Sequence, residues 1–521
     1  MLAFAVLSGP LPKLGVIVVA LLAAAVMLMR DDVKRAWAML GALLLSPVLL
    51  LAEIWHSPQL GVIHRHPLEA VVAAGFALAA LAALAVLLAR RPRLLAPLAV
   101  AVVPFRIPIQ AGGTGASNLL VPLYFVVAAG ALAWLVPILW EHRDGGVPGE
   151  DEEHPPERHL FEKLLAGFVV LYAIQALYSS GFETALENMV FFYVPFALLL
   201  VLLRELEWDR ELVTWCLGVT VVLAVALAFI GFYEEATKTT LFSSKLANVN
   251  EAHSYFTVNS VFYDSNIFGR YMALVAILLL ALLLYDKRPR LLVGVTVTLA
   301  LVWGGLVLAL SRSSLLALLV GMATLAAVRW RAGRRVLAVT AVIVVAGAIA
   351  VAVSPTTFGL NQGLNGASSG RANLVSGGIS MFGSRPVWGY GSGAFASEYH
   401  RRFPASVLTA SHTIPITVAA EQGLIGLLVY LALVIAALLA LFRGVRSDPV
   451  RLAVAACFLA LLVHTLLYAA FLEDPLSWTL LGIGSALLTA TRTHRTAEQR
   501  EAERRRRAAR QRVSSPSPGV A

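Results

Sequence analysis

Residues 415–442 read PITVAAEQGLIGLLVYLALVIAALLALF, an apolar run that a single charged residue, Glu421, interrupts. As a helix, a run of this length crosses a hydrocarbon layer of about 30 Å. Similar runs fill most of the chain, which has 521 residues, of which 59% are hydrophobic and only 14% charged. Because an ordinary soluble domain carries about 25% charged residues, the composition excludes a soluble protein and predicts an all-α, polytopic membrane protein.

The apolar runs predict roughly 13–15 transmembrane helices. The run at 94–106 is short and contains Pro97 and Pro104, which predicts a broken or partial span. Residues 1–12 before the first run carry no basic side chain, and many other runs follow it, so we expect it to stay in the mature protein. The candidate runs are 14–30, 36–52, 68–89, 94–106, 118–140, 163–178, 187–203, 212–233, 267–285, 291–310, 313–328, 336–354, 415–442, 452–470 and 475–491.

Basic residues predict the orientation of these spans. Most of the 41 lysines and arginines fall in every second connection, such as 329–335, and in the segment after 491. Because short basic loops stay in the cytoplasm, the N-terminus is predicted outside and the C-terminus inside a cell membrane, inner or plasma. A minority of arginines then fall on the extracytoplasmic side, against the rule, and need another explanation; they include Arg312, Arg371, Arg385, Arg401 and Arg402.

Composition divides the chain into four parts. They are N-terminal helices at 1–140, an acidic cytoplasmic linker at 141–162, a membrane core at 163–491 with a long extracytoplasmic loop at 355–411, and a basic, disordered cytoplasmic tail at 492–521. The tail beside the last span suits the anionic inner leaflet better than nucleic acid. Cys216 and Cys457 lie inside apolar runs and are interpreted as buried small residues. We expect no metal and no cofactor.

Arg312 lies in Ser311-Arg312-Ser313-Ser314, a connection so short that two spans must form a tight hairpin. One interpretation is a snorkelling anchor at the membrane boundary. A lysine would serve equally well as an anchor, whereas the fixed guanidinium fork suits a phosphate. Arg312 is therefore a candidate anion-binding residue.

Arg371 opens a stretch to Phe395 that combines apolar residues with a glycine-rich turn. This pattern predicts a re-entrant or interfacial helix within the extracytoplasmic loop. The Gly-x-Gly-x-Gly run at 389–393 follows no predicted strand, so a nucleotide site is excluded.

His412 precedes the span at 415–442, in Ser411-His412-Thr413-Ile414-Pro415. Hydroxyl residues cap helices and proline suits a first turn, so the imidazole is predicted at a helix N-terminus. The partial positive charge there disfavours imidazolium and favours a neutral ring able to accept a proton. A lone histidine is also often structural. Glu421, about 13 Å deeper along the same helix, is either a packing residue or a wall of the site.

Several motifs together resemble the O-antigen ligase and polymerase superfamily. They cover roughly residues 255–440, and the first 250 residues resemble it only as a string of spans. Where the family usually has asparagine after the histidine, this chain has Thr413. The motifs are DSNIF at 264–268, SRS at 311–313, Arg371, SRPVWGYGSGAF at 384–395, SHT at 411–413 and EQGLIG at 421–426.

The resemblance implies an inverting, metal-independent membrane glycosyltransferase of polysaccharide biosynthesis in the cell envelope. Its donor would be a glycan on polyprenyl pyrophosphate, such as undecaprenyl pyrophosphate, and its acceptor a glycan, lipid or protein. Arg312 and Arg371 would hold the pyrophosphate and His412 would be the general base. Supporting roles would fall to Asn266, Arg385 and Glu421. Ligase and polymerase both stay open.

Three other classes have similar composition. A lipid or solute transporter or flippase would place ionisable residues within several spans and show an internal repeat. In this sequence Glu421 is the main ionisable candidate within a span, and no clear repeat is present. A cell-wall glycan polymerase of the shape, elongation and division class would depend on an outer acid, for which Asp264 is the candidate. A purely structural membrane protein would not need outer arginines beside a capped histidine.

Overall fold

The computed structural model describes residues 10–54, 65–105, 107–110, 116–143, 158–241, 250, 256–335, 338–339, 371–404, 411–468 and 470–490. The predicted span at 336–354 lies almost wholly outside these ranges. So do most of the acidic linker, the parts of the predicted outer loop at 355–370 and 405–410, and the tail at 492–521.

Helices make up nearly all of the described chain, as the apolar runs predict. In chain order they are α1 Pro10–Leu28, α2 Asp32–Ile54, α3 Pro67–Arg90, α4 Leu95–Val102, α5 Val121–Arg143, α6 Leu160–Ala176, α7 Phe182–Glu187, α8 Val194–Arg204, α9 Arg210–Thr237, α10 Ser265–Tyr285, α11 Pro289–Leu308, α12 Arg312–Arg329, α13 Arg371–Ser384, α14 Phe395–Arg402, α15 Ile414–Leu441, α16 Pro449–Thr465 and α17 Pro475–Ala490. A π-helical turn, Asn188–Tyr193, joins α7 to α8.

Among the described residues, ten helices are long and apolar enough to cross a membrane, and three shorter apolar helices accompany them. Every predicted run that lies within the described residues coincides with a helix. The polytopic, all-α class is therefore confirmed.

The short run at 94–106 is broken, as its prolines predict. A 3₁₀ turn, Pro92–Leu94, leads into the eight-residue α4. Two short strands that the sequence analysis did not predict follow it: β1 Ile107–Gln110 pairs antiparallel with β2 Ala116–Leu119. This ribbon is a local exception in a helical fold.

Helix α10 lies inside the bundle, whereas α3 lies at its periphery. In the most apolar 18-residue window of each helix, 72% of the residues of α10 are buried, compared with 11% of those of α3. Helices α11, α12 and α16 pack on α10, so the start of α10, at Ser265, is surrounded by protein. This placement matters because most of the predicted functional residues lie beside that start.

Candidate functional site

The candidate site lies at the end of the bundle where α10, α12, α13, α15 and α17 begin, which we call the site end. The N-terminal turn of a helix carries free backbone N–H groups and partial positive charge. Several such ends at one place make a region that suits an anion. The contacts below show how these chain segments meet.

The starts of α10 and α12 are joined by hydroxyl and amide side chains. Asp264 caps α10 by accepting a hydrogen bond from the backbone N–H of Asn266 at 2.7 Å. Ser311 caps α12 by accepting one from the N–H of Ser314 at 3.3 Å, and its own hydroxyl donates to Asn266 Oδ1 at 2.9 Å. The predicted supporting residue Asn266 thus lies between the two caps.

A second histidine, His464 near the end of α16, extends this network. Its Nε2 lies 3.1 Å from the hydroxyl of Ser313 and 3.3 Å from that of Ser314. The imidazole is fully buried, and its Nδ1 has no hydrogen-bond partner in the described part of the chain. His464 therefore holds Ser313 and Ser314, in the first turn of α12, close to the end of α16.

Tyr468 connects His464 with the predicted base. Its ring centroid lies 5.7 Å from that of His464 and 6.0 Å from that of His412. The hydroxyl of Thr413 donates to the carbonyl of Leu466 at 3.1 Å, which fixes the start of α15 against the segment after α16. Pro415 lies in the first turn of α15, as predicted.

Arg312 and Arg371 share this region. Arg312 is exposed at the first position of α12, and Arg371 is half-buried at the start of α13. Burial lowers the pKa of Arg371 below its usual value; the charge of Arg312 lowers it further, whereas Asp264 and Tyr468 raise it. Neither arginine forms an ion pair with a carboxylate within the described ranges.

Arg270, one turn into α10, is a buried cation beside the network. It is 1% exposed and forms an ion pair with Asp474, which directly precedes α17. The pair is buried on both sides, so removing either member would leave an uncompensated charge. The charges of Arg270 and Arg371 both act on the ring of His464.

Backbone strain gathers at the site end. Among the described residues, the non-glycine residues with positive φ are Lys238, Ser260, Leu310, Arg331, His412 and Ala470. All except Arg331 lie in connections at the site end, and His412 has φ 59°. Such conformations cost about 1–3 kcal/mol each and cluster at functional sites. The strain at His412 is a reason, independent of the motif, to assign it a function.

Glu421 belongs to a separate structural element, the junction between α15 and the turn that contains Pro386. Helix α15 is broken at Gly423 (φ 66°, ψ −162°), and the turn that contains Pro386 docks into the break. The carbonyl of Pro386 accepts from the N–H of Leu424 at 2.7 Å. The carboxylate of Glu421 accepts from the N–H groups of Gly393 and Phe395 at 2.8 and 2.9 Å.

Glycine is required where the backbone of this turn contacts the backbone of α15. At Gly389 and Gly423 the backbone has positive φ, and a Cβ atom would collide with the carbonyl of Glu421 and of Val387, respectively. The motifs at 384–395 and 421–426 are thus two halves of one interlocking element. Arg385 belongs to it, since its guanidinium stacks over the ring of Tyr390 at 4.5 Å.

The predicted site residues therefore fall into two groups. The structure brings Arg312, Arg371, Asn266 and His412 to the same end of the bundle, linked through Tyr468 and the hydroxyl network, whereas Arg385 and Glu421 take part in the docked turn. Sequence reasoning missed His464, Arg270, Asp474 and Tyr468. A signal for the first two was present, because ionisable residues within apolar spans are candidates for function.

The fold defines a multi-pass membrane protein in which two candidate arginines and two histidines lie at one end of the bundle. Residues 297–431 match the family model of O-antigen ligases, which confirms the resemblance to the O-antigen ligase and polymerase superfamily over that region. The match includes α12, α13, α14 and most of α15, hence Arg312, Arg371 and His412. It indicates a membrane glycosyl-transfer function that uses a lipid-linked glycan and an acceptor.

The matched region excludes several residues of the site. Asn266 and Arg270 on α10 precede it, and His464 and Asp474 follow it. No curated protein matches the chain. Within the described residues, no group of three or more His, Cys, Asp or Glu side chains is arranged to hold a metal ion.

Proposed function

We propose that the protein transfers or polymerises a glycan from a polyprenyl-pyrophosphate donor onto an acceptor hydroxyl at the extracytoplasmic face of a cell membrane. The observation that carries the proposal is that Arg312 and Arg371, which form no ion pair among the described residues, share one end of the bundle with His412, although the three come from distant segments. The charge of a pyrophosphate would supply the missing counter-ion.

The chemistry assigned to these residues is a single displacement. His412 accepts the proton of the acceptor hydroxyl while that oxygen bonds to the anomeric carbon. The bond from that carbon to the phosphate oxygen breaks, and its electron pair leaves with the pyrophosphate. Arg312 and Arg371 stabilise the leaving group. One displacement inverts the configuration at the anomeric carbon and needs no metal ion.

Neighbouring residues hold the chain segments that carry Arg312 and His412 in position. The caps at Asp264 and Ser311 fix the start of α12, and so the backbone from which Arg312 projects. Thr413 and Tyr468 fix the segment that carries His412. Asn266 belongs to this positioning group, whereas Arg385 and Glu421 act at a distance by holding the docked turn.

The direct test uses purified protein in detergent with a polyprenyl-pyrophosphate glycan and a candidate acceptor. We expect released polyprenyl pyrophosphate in amounts equal to the glycosylated product. Val297→Trp, at an exposed position of α11, is the control that should retain activity. Movement of intact donor across a vesicle membrane with no released pyrophosphate would instead favour a lipid transporter.

A further inference from the structure

A cavity of about 270 Å³ lies between α4, α9, α10, α16 and α17. Most of its lining residues are aliphatic. On α10 the lining extends from Tyr271 to Tyr285, which is about 21 Å at 1.5 Å per residue. That length is about two thirds of a hydrocarbon layer of roughly 30 Å. The shape suits an extended chain rather than a compact ligand.

The end of the cavity nearest the site contains two hydroxyls without partners. Tyr271 and Thr479 both line the cavity, and they are 4% and 8% exposed. Neither hydroxyl has a hydrogen-bond partner among the residues that the structure describes. Because a buried polar group without a partner is costly, these two hydroxyls indicate a ligand that brings a polar atom to an otherwise apolar cavity.

The same end adjoins the candidate site. Tyr271 directly follows Arg270, and the lining residue Leu476 lies two positions after Asp474, the ion-pair partner of Arg270. By helix rise, Tyr271 and Thr479 lie only about 9 and 6 Å from the starts of α10 and α17. A chain that fills the cavity therefore ends beside the cations of the site end.

We propose that this cavity binds the first isoprene units of the donor lipid, so that its pyrophosphate lies at the site end. This inference rests on the proposed function and adds the location of the lipid chain. The hydroxyls of Tyr271 and Thr479 donate to oxygens at the phosphate end of the lipid. The aliphatic walls exclude water from the chain.

A pair of donors with the same glycan tests the cavity, one on a long polyprenyl chain and one on a two-isoprene chain. Leu278→Trp places a large ring on the wall of the cavity at a half-buried position. It should lower kcat/KM for the long donor about tenfold and leave the short donor unchanged. Val297→Trp, on the exposed face of α11, is the matched control and should change neither. Parental use of the long donor, or an equal loss with both, would overturn the proposal.

Thr220→Phe narrows the cavity from the side of α9 and replaces Leu278→Trp if that variant does not fold.

A second pair of variants tests the two hydroxyls at the end of the cavity. Tyr271→Phe should raise KM for the long donor about tenfold at unchanged kcat, since it removes one hydrogen bond to a charged group. Tyr285→Phe, at the other end of the cavity, should leave KM unchanged.

A binding experiment separates failure of this proposal from failure of the proposed function. Polyprenyl pyrophosphate without a glycan, carrying a photoreactive diazirine on its chain, should label cavity residues within 271–285, 450–457 and 476–483. Unlabelled polyprenyl pyrophosphate should compete, and phosphatidylglycerol vesicles should not. Labelling confined to α3 or α11, or equal competition by phospholipid, would overturn the lipid site. Specific labelling without glycan transfer would leave the site standing and refute the transferase.

Discussion

Several arginines at one end of the helical bundle are held in ion pairs, whereas the two candidate arginines at the other end form none within the described residues. At the end opposite the site, which we call the paired end, Arg35 contacts Asp32 and Glu205 at 2.6 and 2.8 Å, and Arg204 contacts Glu162 at 2.9 Å. Further pairs there are Arg93 with Asp209 and Glu211, and Arg288 with Asp286. At the site end Arg270 and Arg401 are paired, whereas Arg312 and Arg371 form no ion pair in the described chain.

The buried pairs at the paired end stabilise the fold, because each of them joins separate helices. Glu162 and Arg204 are both buried, and Glu162 also accepts from the hydroxyl of Ser485 at 2.9 Å, so the pair joins α6, α8 and α17. Among the described residues Arg312 and Arg371 form no ion pair, and the charge of Arg312 repels that of Arg371. An external anion would offset that repulsion.

The largest expected effect concerns which end faces the cytoplasm. Arg401→Cys at the site end and Arg288→Cys at the paired end each replace an exposed side chain. The two native cysteines, Cys216 and Cys457, are buried and should not react with the label. In sealed right-side-out vesicles, a membrane-impermeant maleimide should label the first variant and not the second, because basic loops stay inside. The reverse pattern would move the site to the cytoplasmic face.

His412→Ala should lower turnover by about 100-fold to 10,000-fold, the usual contribution of a general base, while donor binding through Arg312 and Arg371 persists. A base must be unprotonated to act. The parental rate should therefore rise with pH through the range in which the imidazole loses its proton, and the alanine variant should lack that limb. Parental turnover with the same pH profile would remove His412 from the chemistry.

Arg204→Ala at the paired end should lower the free energy of unfolding by about 3–5 kcal/mol, because Glu162 is left buried without its partner. Turnover per folded molecule should not change. The exposed pair provides a control: Arg288→Ala should leave the stability almost unchanged, because water screens that pair. Thermal unfolding in detergent measures both. A stable Arg204→Ala variant with lost activity would contradict the division between the two ends.

Arg312→Lys should lower turnover about 10-fold to 100-fold while the protein stays folded, because a point charge does not reproduce the bidentate grip of a guanidinium. Arg93→Lys at the paired end is the matched control, since its pair is exposed and its replacement should leave turnover unchanged. If the Arg312 variant transfers glycan at the parental rate, the snorkelling interpretation holds.

The smallest effect is expected from Thr413→Asn, which restores the residue that the related family usually has. Thr413 is the N-cap of α15 but makes no side-chain cap hydrogen bond, whereas asparagine is a favoured cap. Because the change also removes the hydrogen bond from the Thr413 hydroxyl to the carbonyl of Leu466, the gain and the loss should nearly cancel, so stability should change by less than about 0.5 kcal/mol and turnover should stay within about twofold. A much larger change in turnover would show that position 413 contacts the substrate.

The sequence predicted Arg312, Arg371 and His412 as members of one site, but not the side chains that connect them. The short Ser-Arg-Ser connection indicated an arginine at a span boundary, and Arg312 is found at the start of α12. The histidine-proline pattern placed His412 just before a helix, as observed. Glu421 stayed ambiguous because its partners, the N–H groups of Gly393 and Phe395, come from a distant segment. No local pattern specifies such a pairing.

By itself the sequence determined the membrane class, the approximate helix boundaries and the start of α15 near Pro415. These are local properties: apolar runs must lie in lipid, and prolines and short polar side chains act within one helical turn. The tertiary structure alone decided that His464 joins Ser313, that Arg270 pairs with Asp474, and that the turn at Pro386 fills the break in α15. Those contacts depend on how separate helices dock, and docking is set by packing across the whole bundle rather than by neighbours in the chain.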